Sequence, residues 1–167
     1  LDVDSSLAAA ARGHLVDMPW VEVREGNGAG PLGESFDAML INAGVTHPQA
    51  GWLDALAPGG RLILPLTATM PVMGPIGKGL LVLIEPPAAR VVTFVAIYSA
   101  LGLRDDDLNR ALGQAMQRNP FPPIQALRRD AHEASPSCWL HTPGACFSLE
   151  ATAPRAGSAP AARPRSA

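Results

Sequence analysis

The chain has 167 residues, 47% of them hydrophobic and 17% charged, with a formal net charge of −2. That is enough chain for one domain with its own core, and the charge balance offers no basic surface to nucleic acid or to an anionic membrane. No apolar run approaches the roughly 18 residues of a membrane span; the longest, Gly79 to Ile84, is strand-sized.

In chain order, Leu1 to Asp4 reads as the end of a strand. Ser5 or Ser6 can cap a helix through the alanine-rich Leu7 to Arg12, which fades near Gly13 to Asp17. Val21 to Arg24 alternates apolar and polar residues, as a short strand does, and Gly26 to Pro31 follows as a turn-rich loop. Phe36 to Ile41 is an almost continuous apolar run, which predicts a central parallel strand covered on both faces. Pro48 to Leu56 predicts a helix with Trp52, Leu53 and Leu56 inward, stopped by Pro58-Gly59-Gly60. Arg61 to Leu66 is the next strand, and Pro65 predicts that its last residues leave the ladder.

Thr67 to Gly77 is a loop rich in Pro, Gly and Met. Leu80 to Ile84 and Arg90 to Ile97 are strands whose short link at Pro86-Pro87 permits only an antiparallel hairpin. Asp105, Asp106 and Asp107 open a helix reaching about Gln117, where acidic residues suit the helix dipole. Pro120, Pro122 and Pro123 break it, and Ile124 to Arg129 is expected to add one helical turn. From Ala151 onward no large apolar residue occurs, which predicts a disordered tail.

Cys138 and Cys146 read as reduced cytosolic thiols, with a local disulfide as the alternative. His132 and His141 flank Cys138, but these spacings match no common zinc pattern, and no metal site is expected. The chain opens on Leu1 without a basic-then-apolar leader, so a cytoplasmic location and missing upstream sequence are both expected.

In open α/β sheets ligands bind beyond the carboxyl ends of the strands. Asp2 or Asp4 there can accept hydrogen bonds from a ribose diol; a solvated acid, or a helix cap at Asp4, is the plainer reading. Asn27-Gly28, after the third strand position, can approach the edge of an adenine ring because glycine lacks a Cβ, or can form a simple turn. Asn42-Ala43-Gly44 leaves space above the central strand. His47 is expected to cap the next helix or face solvent, since neither a paired carboxylate nor a nucleophile accompanies it.

Taken in order, Gly26-Asn27-Gly28, Phe36-Asp37, Ala43-Gly44, Gly59-Gly60 and Leu64-Pro65 resemble the motif series of the protein-L-isoaspartate O-methyltransferase family. That family has a strand leading to Gly-Asp-Gly, a Tyr/Phe-Asp strand ending in small residues, a Gly-Gly turn and a strand ending in Leu-Pro. The resemblance spans roughly residues 1–97 and is strongest over 21–66. It implies a Rossmann-like class I methyltransferase sheet, α/β, with parallel strands and a C-terminal antiparallel hairpin. The first strand and its glycine-rich loop would lie upstream of Leu1. Residues 1–100 would be the back portion of that domain, 101–149 a helical extension and 150–167 a tail.

The resemblance further implies S-adenosylmethionine as cofactor, with Asp2 on the ribose, Asn27 and Gly28 at the adenine, and Asn42 and Ala43 beside them. The implied substrate is a protein or peptide carrying isoaspartyl residues, methylated on a side-chain carboxylate. Asn27 departs from the family's Asp and loses its charge. Catalytic residues are not identified, and the chain by itself is expected to be inactive. A truncated sheet is expected to expose ladder groups and to be poorly soluble or self-pairing. The alternatives are a non-catalytic α/β remnant serving as an interaction domain and a dehydrogenase-type Rossmann domain, whose fingerprint is absent.

Overall fold

A computed structural model describes residues 1–70, 72 and 74–152. The elements are α1 (Ser5–His14), β1 (Phe36–Leu40), α2 (Ala50–Asp54), β2 (Leu56–Thr69), β3 (Ile76–Glu85), β4 (Ala88–Tyr98), α3 (Asp106–Arg118), β5 (Ala126–Arg128), β6 (Cys138–Thr142) and β7 (Ala145–Ser148). The strands form one seven-stranded sheet in the order β1-β2-β3-β4-β5-β7-β6. The fold is α/β, but only β1 and β2 pair in parallel; every other ladder is antiparallel. The expected sheet of parallel strands closed by one hairpin is therefore corrected to a mostly antiparallel one. No helix among the described residues is long and apolar enough to cross a membrane.

The core sits on β2 and β3. Leu62, Leu64 and Leu66 alternate along β2, and Leu80, Val82 and Ile84 along β3, all fully buried. Each such side chain contributes about 2 kcal/mol of transfer free energy. Helix α3 covers this centre, packing against β2 and β6. Its apolar residues recur at Leu108, Ala111, Leu112, Ala115 and Met116, which is helical spacing, and Leu112 and Ala115 are buried. Asp105 caps it, accepting from the Leu108 N–H at 2.8 Å.

Several local expectations are corrected. Leu1 to Asp4 and Val21 to Arg24 do not form strands; a single parallel bridge, Asp2 to Glu25, joins them. β1 is half-exposed rather than covered on both faces, because it is the outermost strand with β2 alone beside it. Pro65 stays in the ladder opposite Leu81. Its carbonyl accepts from the Val45 N–H at 3.0 Å, so its nitrogen faces Val45 and β3 loses no hydrogen bond. The helix expected over Pro48 to Leu56 shortens to α2; Trp52 and Leu53 are buried, and Leu56 already begins β2. Pro58-Gly59-Gly60 accompanies a break in the β1–β2 register. Gly59 takes a positive φ of 79°, and a Cβ on Gly60 would lie 2.8 Å from the Phe36 carbonyl oxygen.

The largest correction concerns the region expected to be a helical extension. After α3 it is strand: β5 replaces the expected helical turn at Ile124 to Arg129, and β6 and β7 form a hairpin through Pro143-Gly144. β5 pairs with both β4 and β7, so the region continues the sheet instead of standing beside it. Trp139 is buried and donates from Nε1 to the Asn119 carbonyl at 3.1 Å, fastening β6 to the end of α3. The tail expected from residue 150 lies, from residue 153 onward, outside the described residues.

Candidate functional site

The sequence-derived candidates fall into two groups. In the first, the Asp2 N–H donates to the Arg24 carbonyl at 3.1 Å and the Gly26 N–H donates to the Asp2 carbonyl at 2.8 Å. This brings Asp2 beside Gly26-Asn27-Gly28, with α1 as the connection between two parallel segments. Leu1 lies over both glycines: a Cβ on Gly26 or on Gly28 would meet its side chain at 3.4 Å. The indole of Trp52 donates to the Gly28 carbonyl at 2.6 Å and ties this loop to α2.

The polar side chains of that group are partly engaged locally. Asp2 Oδ1 accepts from the Asp4 N–H at 2.9 Å, while Oδ2 makes no hydrogen bond among the described residues. Asn27 Oδ1 accepts from the Ala29 N–H at 2.9 Å, an Asx-type turn. Asp4 is the helix cap: its Oδ1 accepts from the N–H groups of Ser6 and Leu7. Those bonds, led by the one from the Ser6 hydroxyl, hold its carboxyl below the usual range. Asp4 is thereby committed to α1 through Oδ1; its Oδ2, like that of Asp2, makes no hydrogen bond among the described residues, so the capping role and not a free oxygen sets the two acids apart.

The second group follows β1. Asn42 is exposed and Ala43 half-buried. No hydrogen bond among the described residues joins either of them to Asp2 or Asn27. Gly44 and Val45 enter the sheet as parallel bridges to Ser99 and Leu66. A Cβ on Gly44 would lie 2.3 Å from Thr67 Oγ1, so only glycine fits there. The Ser99 hydroxyl is buried and has no hydrogen-bond partner among the described residues.

Arg104, Thr67 and Asn109, which the sequence did not point to, build a connected polar cluster on the last residues of β2, past the point where its parallel pairing with β1 ends. Arg104 donates from Nη1 to the Gly44 carbonyl at 3.1 Å and to Thr67 Oγ1 at 3.0 Å. From Nη2 it donates to the Thr67 carbonyl at 2.5 Å and to Asn109 Oδ1 at 2.7 Å. Asn109 Oδ1 also accepts from the Thr69 N–H at 2.9 Å. Burial lowers the Arg104 pKa, and the charge of Asp106 opposes that shift. With both terminal nitrogens spent on protein acceptors, the guanidinium locks α3 to β2 rather than standing ready for a ligand.

His47 neither caps α2 nor faces solvent freely. It is half-buried, with Nδ1 2.9 Å from Thr46 Oγ1 and Nε2 3.3 Å from the Gln49 amide nitrogen. Burial lowers its pKa, against the opposing charge of Asp105, so the ring is neutral at neutral pH. The hydroxyl within its reach belongs to Thr46, which is fully buried and also accepts from the Asp105 N–H at 3.2 Å; no carboxylate lies within hydrogen-bond reach of the ring among the described residues.

The geometry thus defines a class, an α/β protein with a mostly antiparallel sheet and clustered polar groups past the end of its β1–β2 pairing. Compared with protein-family models and with curated proteins, the chain matches none.

Proposed function

We propose that this chain supplies the adenosine-binding side of an S-adenosylmethionine-dependent methyltransferase of the protein-L-isoaspartate type. The observation that carries the reading is the parallel pairing of Asp2 with Glu25 across α1, which sets the backbone of Asp2, an acid whose Oδ2 makes no hydrogen bond among the described residues, beside Gly26-Asn27-Gly28. A ribose diol needs an acceptor of that kind; for an adenine edge to approach the Gly26 and Gly28 backbone, the Leu1 side chain that lies over both glycines has to move aside. The parallel β1–β2 pair and the antiparallel β3–β4 hairpin support the same reading.

On this reading Asp2 takes the ribose and the Asn27-Gly28 segment meets the adenine, with the Asn27 amide nitrogen as the group left over from its own turn. For the methionine end the described residues offer no glycine-rich loop; the reading calls for a further strand along the free edge of β1. When bound, the cofactor supplies an electrophilic methyl group, and an aspartyl-type carboxylate is already ionised at neutral pH. The protein's task is then to position and desolvate the acceptor. The chain alone is expected to give little or no methyl transfer to an isoaspartyl peptide.

A second reading, an α/β interaction domain without catalysis, is favoured by the engagement of Asn27 Oδ1 in its own turn. Calorimetric titration with S-adenosylhomocysteine separates the two. The methyltransferase reading expects weak binding, around the millimolar range, that Asp2→Ala abolishes. No heat at millimolar ligand, or heat unaffected by Asp2→Ala, overturns it.

A further inference from the structure

We propose that His132, Cys138, His141 and Cys146 form a structural site for one Zn²⁺ at the β6–β7 edge of the sheet. Their ligand atoms, one ring nitrogen or sulfur each, all lie within 4.8 Å of one another. A sphere holding four atoms so spread has a radius of about 3 Å, and a contraction of about 1 Å brings them to zinc's ligand distances of about 2.0–2.3 Å. At those distances the edges of the tetrahedron measure about 3.3–3.8 Å. Cys138 Sγ and His132 Nε2 already stand 3.6 Å apart.

The fold explains why sequence spacing hid this cluster. Residues three apart on a regular strand point to opposite faces, so Cys138 and His141 of β6 would not meet. The β6–β7 register is irregular between Cys138 and Leu140, which resets the alternation and returns both to one face. His141 is directly opposite Cys146 of β7, the closest side-chain relation a hairpin offers. His132 arrives from the irregular segment between β5 and β6. Its ring meets that of His141 edge to face, with centroids 4.8 Å apart.

A surrounding shell supports ligation. His132 Nδ1 lies 2.8 Å from the Asp130 carbonyl oxygen, an acceptor only, so Nδ1 carries the proton and Nε2 turns a lone pair toward Cys138. Asp130 is itself gripped by Arg128 of β5, Nε to Oδ1 at 3.1 Å and Nη2 to Oδ2 at 2.6 Å. Both cysteines are free thiols, Cys146 buried and Cys138 partly so. Cys138 and His141 also line a recess of about 490 Å³ between α3 and Ala134 to Pro136, which gives an ion a route in.

Two thiolates and two imidazoles are a soft, borderline donor set that suits zinc, and four protein ligands leave no open position for catalysis. On binding, each thiol yields its proton to solvent, so the two thiolate charges balance the ion. The site would fasten the irregular segment from Arg129 to Ser137 onto β6 and β7, the outermost pair of the sheet. This inference is independent of the methyltransferase reading, since none of its residues belongs to the candidate cofactor site.

The test uses the full chain purified with thiols reduced. Metal analysis is expected to find one zinc per chain. Replacement by Co²⁺ is expected to give the strong red d–d bands of a tetrahedral site with a near-ultraviolet thiolate charge-transfer band. Cys146→Ser should lose about half of that charge-transfer intensity, since Cys138 still offers a thiolate, and Arg128→Ala, which leaves all ligands in place, should weaken Co²⁺ binding about tenfold. Zinc-free protein with two reactive thiols and no Co²⁺ spectrum overturns the proposal. So does a Cys138–Cys146 disulfide whose reduction restores no metal binding. Should Cys146→Ser fail to fold, the unmodified chain still decides, because bound Co²⁺ must shield both thiols from alkylation.

Discussion

The junction between β2 and α3 and the flank that runs from Leu1 to about Gly33 hold their polar residues in opposite ways. At the junction, side chains reach across the fold: Arg104 binds Gly44 and Thr67, and Asn109 binds Thr69. In the flank most side-chain bonds are short-range and exposed: Asp2 to Asp4, Asp4 to Ser6, Asn27 to Ala29, Arg24 to Glu22. The longer ties are the backbone bonds between Asp2 and Arg24 to Gly26, Arg12 to the Val23 carbonyl, Arg24 to Glu34, and Trp52 to the Gly28 carbonyl. The flank also leaves Leu1, Val3, Leu7, Val16 and Trp20 exposed, whereas the junction rests on fully buried Leu66, Leu80 and Leu112. The contrast teaches that these two regions owe their order to different sources. The junction is specified by tertiary structure; the flank is specified mainly by local turns and the α1 cap, and few contacts oblige it to stay where it is.

The sharpest way to break this contrast is at Arg104. Arg104→Met keeps length and removes the fork, leaving the Thr67 carbonyl and Asn109 Oδ1 without their charged donor. The Gly44 carbonyl keeps a partner in the Ala100 N–H at 2.9 Å, which limits the loss. A cost of about 2 kcal/mol is expected in urea unfolding. Arg104→Lys, a point charge without the planar fork, should recover only part of it. An unchanged midpoint for Arg104→Met would mean that α3 is held by its apolar face alone.

A smaller effect is expected at Trp52→Phe, which keeps the buried ring in α2 and deletes the bond to the Gly28 carbonyl. The global cost should be about 1 kcal/mol. The more telling readout is local, since amide exchange should quicken in the flank from Gly26 to Gly30 and stay unchanged in β2 and β3. Equal quickening in both would show that flank and core open as one unit, and the contrast would fail.

What the sequence revealed follows the same division. Elements set by local chemistry were legible: the acidic start of α3, the β3–β4 hairpin forced by Pro86-Pro87, and the buried Trp52 and Leu53 of α2. The cap of α1 was expected at Ser5 or Ser6, which lie inside the helix; it is Asp4, whose capping role the sequence offers only beside a ribose-binding one. Elements set by neighbours were not legible. The apolar run of β1 suggested two covered faces, but burial depends on what lies alongside, and β1 is an edge strand. β5, β6 and β7 have 3, 5 and 4 residues, too short for alternation to outweigh the preceding helix signal, although Pro143-Gly144 marked their turn. Arg104 gave no signal in the sequence, because its partners Gly44 and Thr67 lie 60 and 37 positions away. The His132–Cys146 cluster was hidden for the same reason, since the strand irregularity at Cys138 to Leu140 rewrites the face that spacing predicts.

The finest test of the contrast is pH, acting on His47 where the segment after β1 meets the start of α3. Burial depresses its folded-state pKa below the ordinary 6.5, more than the charge of Asp105 restores. The unfolded chain therefore binds a proton there more readily than the folded one. Stability tied to this ring is present above the unfolded pKa and is lost as pH falls toward the folded one. His47→Gln, which keeps a polar group near Thr46 but does not titrate, should remove that component. Urea midpoints measured at about pH 7.5 and about pH 5 should fall further in the parent chain than in the variant. Equal falls would place the acid sensitivity elsewhere, and would mean that water reaches His47 as freely as it reaches the exposed carboxylates of the flank.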